Sequence, residues 1–212
     1  PLAKCAARIM SGEKISELGL PEEARDRGYY AVKEAVMPWS RFPGADVTLG
    51  PEMKSTGEVM GLDTTFPKAY VKTREAIEYD VPQSGSVFIS VCDRDKRSVA
   101  PVALSLRNLG YDLLATRGTA KTLRAAGIPC EVVKPISEGS PNILDLMAEG
   151  RISFLINTPK GHSSRGDGTK MRGEAVSRGI DMATTMSGAV ALVQAIAALR
   201  EGPLTVNALQ DL

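Results

Sequence analysis

The stretch Leu113–Lys134, LLATRGTAKTLRAAGIPCEVVK, decides the fold class. Tyr111–Ala115 is a short apolar run that reads as a buried strand, and Thr116-Arg117-Gly118-Thr119 reads as a turn. Ala120–Ala126 is a helix stopped by Gly127, and Ile128–Lys134 is the next strand. Strand, turn, helix and strand make a βαβ unit, the building block of a parallel sheet. The free N–H groups and the positive dipole end where such a helix begins attract anions. Gly118 permits close backbone approach there, Thr116 and Thr119 bring hydroxyls, and Lys134 brings a cation to the same edge. Each residue also has a plain reading: Gly118 as a turn residue, Thr119 as an N-cap, and Lys134 as a solvated strand end. Neither the six-residue dinucleotide fingerprint nor a GxxxxGK[ST] loop occurs in the chain.

Outward from this unit the rhythm repeats. Val87–Cys92 is an apolar strand and Lys96–Leu109 a helix ended by Gly110. Downstream, Pro141–Ala148 is a helix and Ile152–Asn157 a strand, followed by a long polar loop over Pro159–Gly168. Lys170–Arg178 is a helix, Ile180–Thr185 a strand, and Ser187 caps a last helix, Gly188–Arg200. Continuous apolar runs mean strands buried on both faces. The expected architecture is therefore α/β, a five-stranded parallel sheet in the flavodoxin-like order 2-1-3-4-5, with its ligand at the carboxyl ends of the strands. Val81-Pro82-Gln83-Ser84-Gly85 is the linker before it. Upstream, Leu2–Met10 and Thr65–Tyr79 read as helices, the latter with Pro67 in its first turn, and Tyr29–Met37 reads as a strand. Arg41–Met53 is loop. Residues 1–79 hold too few elements to close a core alone, so they are expected to be an incomplete domain of a longer polypeptide with apolar surface left over.

Composition narrows the partners. A formal net charge of +1 gives no global field toward nucleic acid or an acidic membrane. No apolar run approaches transmembrane length. Cys5, Cys92 and Cys130 are scattered and odd in number, which fits small core residues in a reducing cytoplasm rather than a disulfide or zinc framework. His162 is the sole histidine, which excludes a two-His mechanism.

The expected strand ends carry Asp93, Asp95 and Lys96, then Thr116, Gly118 and Thr119, then Lys134, then Asn157 and Thr158, then Thr184, Thr185 and Ser187. Hydroxyls, an amide and two lysines suit a phosphate with a ribose or base beside it. Asp93 and Asp95 read as caps of the following helix. No carboxylate dyad or nucleophile–base pair accompanies the set, so the rim reads as a binding site without catalytic residues.

Lys54–Gly61, KSTGEVMG, with Phe42–Glu52, FPGADVTLGPE, resembles the end of the second ATP-grasp half of the carbamoyl-phosphate synthase large subunit. Residues 85–200 resemble the methylglyoxal-synthase-like allosteric domain that follows it there. The resemblance implies a division into 1–79, the remnant of the ATP-grasp domain, 80–84, a linker, and 85–212, the allosteric domain. It implies binding of a nucleotide monophosphate such as UMP or IMP, with the phosphate at Lys96, Thr116, Thr119 and Lys134 around Gly118. The nucleoside side falls on Asn157, Thr158, Asp167, Lys170 and Met171. An ornithine site falls on Glu34, Met37, Leu49 and Thr184. There the family's Tyr-Asp is replaced by Met182-Ala183, so a carboxylate partner for an ammonium group is missing, and an Asp at position 183 is expected to restore it. The full cytoplasmic ligase is expected to use ATP, Mg²⁺ or Mn²⁺ and K⁺ to make carbamoyl phosphate from bicarbonate and glutamine-derived ammonia, for arginine and pyrimidine biosynthesis. Its partners would be a small glutaminase subunit, the remainder of the large subunit and further copies in an oligomer. The chain itself is expected to be non-catalytic. The alternative is a free phosphate-binding enzyme of the methylglyoxal-synthase or IMP-cyclohydrolase type; Pro135–Ser140 lacks the Asp that the former requires.

Overall fold

A computed structural model describes residues 1–20, 28–42, 47, 51–159, 166–208 and 210. The chain opens with α1 (Leu2–Met10), followed by β1 (Tyr30–Val36), β2 (Gly57–Asp63) and α2 (Phe66–Ala76). Then come β3 (Ser86–Ser90), α3 (Lys96–Asn108), β4 (Asp112–Thr116), α4 (Arg117–Ala125), β5 (Glu131–Val133) and α5 (Ile143–Ala148). The chain continues through β6 (Ile152–Asn157), α6 (Asp167–Ser177), β7 (Asp181–Ala183) and α7 (Met186–Glu201).

β3 to β7 form one five-stranded sheet, all parallel. The α/β class and the parallel sheet agree with the sequence reading; the order does not. The strands lie β5-β4-β3-β6-β7, which is 3-2-1-4-5 within this sheet instead of 2-1-3-4-5. The first two crossovers step the same way from central β3, and the chain then returns to place β6 on its other side. A βαβ unit specifies parallel neighbours but not the direction of the next step, so the local pattern left this open. The consequence is functional: the reversal falls between β3 and β6, and the crevice of an open α/β sheet opens at that switch point.

Helices cover both faces. Val87, Ile89, Ala115, Phe154 and Ile156 face one core with Val99, Leu106, Leu123, Leu192 and Ile196 from α3, α4 and α7. Phe88, Leu114 and Leu155 face the opposite core with Leu146 and Met147 of α5 and Met171 of α6. Alternate residues of each strand thus supply opposite cores, which is why the runs are apolar throughout.

β1 and β2 pair antiparallel in a separate two-stranded sheet. α2 packs on both strands and on α7, and its Val71 belongs to the main core. Gly61, the last residue of KSTGEVMG, lies against α2 so closely that a Cβ would come 2.1 Å from the Ala69 carbonyl oxygen. The expected linker is pinned to the sheet. Val81 is buried, the Tyr111 hydroxyl donates to the Pro82 carbonyl, and Arg200 Nη2 donates to the Gln83 carbonyl at 2.8 Å.

Two local expectations are corrected. Thr116–Thr119 is not a turn before a helix. Thr116 closes β4 with extended backbone (φ −63, ψ 153) and α4 starts at once with Arg117. The last helix is capped by Thr185, whose Oγ1 accepts from Gly188 N at 3.0 Å, and begins before Ser187.

Candidate functional site

The end of β3 is held from both sides. From β6, Asn157 Nδ2 donates to the Ser90 carbonyl at 3.2 Å, and Cys92 N donates to Thr158 Oγ1 at 3.0 Å. From the other side, Val91 N donates to Thr119 Oγ1 at 3.3 Å, and Thr116 Oγ1 donates to the same oxygen at 3.2 Å. Thr119 is fully buried, so its hydroxyl stitches the β3 end to α4. It does not act as a simple N-cap.

Above this floor lies a crevice of about 340 Å³ bordered by Val91, Cys92, Lys96, Asn157, Thr158 and Arg172. Lys96 opens α3, and its Nζ donates to the Val91 carbonyl at 3.3 Å and lies 3.1 Å from Asp93 Oδ1. The ammonium stands over Gly118, where a Cβ would lie 3.3 Å from it. No side chain caps the start of α4, so its first-turn N–H groups keep their donors. Lys134 is exposed and directly follows Val133, the register partner of Thr116. The structure thus brings Lys96 over Gly118 at the start of α4, while the pairing of Thr116 with Val133 sets Lys134 one residue beyond the neighbouring strand; Thr116, Gly118 and Lys134 do not border the crevice itself.

The nucleoside-side candidates scatter more. Asn157 and Thr158 are buried in the floor. Asp167 opens α6 and accepts from Ser137 N at 3.4 Å, while Lys170 is exposed on α6. Met171 is 4% exposed and packs in the core beneath α6, away from the crevice. Asp93 and Asp95 are not side-chain caps. Asp93 pairs with Lys96, and Asp95 accepts from the Cys92 thiol at 3.0 Å, an interaction that holds the Asp95 carboxyl below its ordinary range.

Sequence reasoning missed Arg172. It is buried in the crevice wall, with Nη1 donating to Asn157 Oδ1 at 2.8 Å. Gly168 leaves room for it, since a Cβ there would lie 3.1 Å from Nη1. The available signal was helical spacing, which puts Arg172 on the face shared by Gly168 and buried Ala175.

A second cleft of about 340 Å³ lies between β1 and β7, bordered by Glu34, Met37, Trp39, Arg74, Asp181 and Thr184. Glu34, Met37 and Thr184 of the ornithine candidates meet here; Leu49 lies outside the described residues. Ala183 is 6% exposed in the main core, so an Asp there would be a buried charge rather than a restored partner, which corrects the earlier expectation. A carboxylate is present in any case: Asp181 enters the cleft and is bound by Arg74, which also binds Glu34. Burial pushes the Asp181 carboxyl above its ordinary value, and Arg74 pulls against that.

Comparison with known proteins matches the same geography. A family model described as "MGS-like domain" matches residues 98–184, from the first turn of α3 to the end of β7. The whole chain aligns with the carbamoyl phosphate synthase large chain, C-terminal section, of Methanopyrus kandleri at 49% identity. It also aligns end to end with the large chains of Methanothermobacter thermautotrophicus at 47% and Synechocystis at 46%. The chain belongs to the carbamoyl phosphate synthase large-chain family. It covers 40% of the Methanopyrus protein and 20% of each of the other two. The MGS-like match begins two residues after Lys96 and contains the rest of α3 from Ser98, α4, Thr116, Gly118, Lys134, Arg172 and Asp181, so both clefts draw on it. Among the described residues, no helix is long and apolar enough to cross a membrane.

Proposed function

We propose that the crevice beside β3 binds the phosphate of a nucleotide monophosphate effector of the UMP or IMP type, and that residues 85–212 act as the regulatory domain of a carbamoyl phosphate synthase. One observation carries this reading. The Lys96 ammonium stands over Gly118 at the uncapped start of α4. A cation and the positive end of a helix dipole repel each other, and an anion between them turns that repulsion into attraction on both sides. Thr116 adds a hydroxyl, Lys134 a second charge, and Arg172 with Asn157 a polar wall for the nucleoside. Thr119 serves indirectly by holding the floor.

In this reading residues 1–79 are the end of an ATP-grasp domain joined through 80–84. The ATP, Mg²⁺ or Mn²⁺, K⁺, bicarbonate and glutamine-derived ammonia belong to the longer cytoplasmic enzyme with its glutaminase partner. Among the described residues no three His, Cys, Asp or Glu side chains gather to hold a metal ion. The 212-residue chain would bind effector without turnover. The rival of a free-standing phosphate-binding enzyme accounts less well for relatives whose similarity covers the whole chain, residues 1–79 included.

The test is calorimetric titration of the chain with UMP and with IMP. Losing a charge-assisted hydrogen bond costs about 1.5–3 kcal/mol, roughly tenfold or more in affinity. Lys96→Ala and Lys134→Ala are each expected to weaken binding by that order, Lys134→Ala with an unchanged melting temperature, and added salt should narrow the gap. Equal affinity in wild type and both variants would sink the reading.

A further inference from the structure

The cleft between β1 and β7 holds an ion group that the effector crevice does not use. Arg74, on α2, is 7% exposed and binds Glu34 of β1 through Nη1 and Asp181 of β7 through Nη2. Its guanidinium carbon lies 4.8 Å from the centroid of the Tyr79 ring, and Trp39 and Met37 complete the wall. Two carboxylates from two different sheets therefore close on one cation that comes from a third element. Among the described residues, Glu34 Oε2 and Arg74 Nε are both buried without a hydrogen-bond partner, so there the group is held by its charges rather than by complete hydrogen bonding.

We propose that Arg74 is an internal counter-ion. It fills the cation place of this cleft and ties the hairpin to β7, so that the cleft takes up an external guanidinium or alkylammonium group only when Arg74 is removed. Two carboxylates facing each other in a buried site repel strongly, and a cation between them is required whatever its source. With Arg74 present the place is taken, and a second cation would meet the guanidinium at contact distance. With Arg74 truncated, the carboxylates, the Tyr79 ring and the vacated space match a planar cation on a short alkyl stem.

The experiment is a thermal melt of the 212-residue chain as wild type and as Arg74→Ala, each with low-millimolar ethylguanidinium chloride or the same concentration of KCl. Ethylguanidinium replaces the atoms that the truncation removes. Breaking a buried pair is expected to lower the melting temperature by on the order of 10 °C. Ethylguanidinium should return several degrees to Arg74→Ala and nothing beyond the KCl control to the wild type. Equal gains in both proteins, recovery with KCl alone, or an unshifted variant would each overturn the proposal. Where Arg74→Ala yields no folded protein, hydrogen exchange at Arg74 Nε decides. It is expected to be slow in the wild type and at least tenfold faster in Glu34→Gln; exchange in the wild type as fast as at an exposed arginine would overturn it. Neither readout depends on nucleotide binding, so failure here is distinguishable from failure of the effector site.

Discussion

The five-stranded sheet and the two-stranded hairpin bury their strands in opposite ways. In β6 every residue except Ser153 is buried, whereas in β1 none is, and its residues alternate between exposed and half-buried. The sheet has a core on each face. The hairpin has one supporting face, supplied by α2, and α2 is itself anchored in the sheet's core through Val71. The segment around the hairpin also leaves Leu2, Met10, Ile15, Met53 and Met60 exposed. The sheet can therefore be held by its own packing, while the hairpin borrows its footing through α2, Arg74 and Gly61.

The largest expected effect tests the first half of that contrast. Phe154 is fully buried and meets Tyr111 edge to face at 5.8 Å between ring centroids. Phe154→Ala should cost about 3–5 kcal/mol. Met60→Ala, at a residue 57% exposed on the hairpin, should stay within about 0.5 kcal/mol. Urea denaturation of both variants checks this. A comparable loss at Met60 would mean that the hairpin has a core of its own.

Next in size is Gly61→Ala. The added methyl would overlap the Ala69 carbonyl oxygen, a backbone atom that cannot rotate away. The hairpin must separate from α2, at a cost of about 1–3 kcal/mol by analogy with overpacked cores. Hydrogen exchange should quicken across β1 and β2 and stay unchanged in β3 and β6. Faster exchange throughout the chain would break the comparison, because it would make the hairpin part of the same cooperative unit.

What the sequence revealed follows the same division. Ile152–Asn157 is legible to the residue because an apolar run of strand length stands between Gly150 and Pro159. That a helix follows β4 beside Gly118 is legible because local backbone physics builds it, although α4 starts at Arg117 and not after a turn. Strand order is not, since it depends on which edge of β3 each crossover takes. The strand expected over Ile128–Lys134 shrinks to Glu131–Val133 because β5 is an edge strand that begins after Pro129. Arg172 and Arg74 escaped for a common reason. Each sits in a charged helix where an arginine reads as solvated surface, and its burial depends on carboxylate or amide partners distant in sequence.

Acid should distinguish the two regions more gently. Asp63, at the end of β2, is 2% exposed and lies 2.8 Å from Lys72 Nζ of α2. Burial pushes its carboxyl up, but Lys72 and the Thr64 N–H outweigh this and hold it below the ordinary value. A carboxyl lowered in the folded state adds stability that is full above its unfolded value, near pH 4, and is lost as the pH falls through its folded value. Asp63→Asn should remove that part of the acid limb, so its melting temperature falls less than that of the wild type below pH 4. Parallel acid limbs would show that the pair does not help the hairpin stay on α2.

The smallest effect is expected where the hairpin's own surface is concerned. Lys33 Nζ lies 2.7 Å from Glu58 across β1 and β2, and both side chains are 61% exposed. Lys33 is opposite Met60, and Glu58 is opposite Ala35, so the pair spans a diagonal of the ladder rather than a direct rung. Exposed pairs of this kind contribute about 0–1 kcal/mol, and salt screens them further. A double-mutant cycle with Lys33→Ala and Glu58→Ala should give a coupling near the low end of that range, vanishing in high salt. This pair is the opposite of the Arg74 group. There, two carboxylates surround one buried cation and its removal leaves uncompensated charge; here, each partner is hydrated as soon as the other is gone. A coupling well above 1 kcal/mol at Lys33 and Glu58 would mean that the hairpin's outer face is shielded from water in solution. Its stability would then come from contacts on that face as well as from α2.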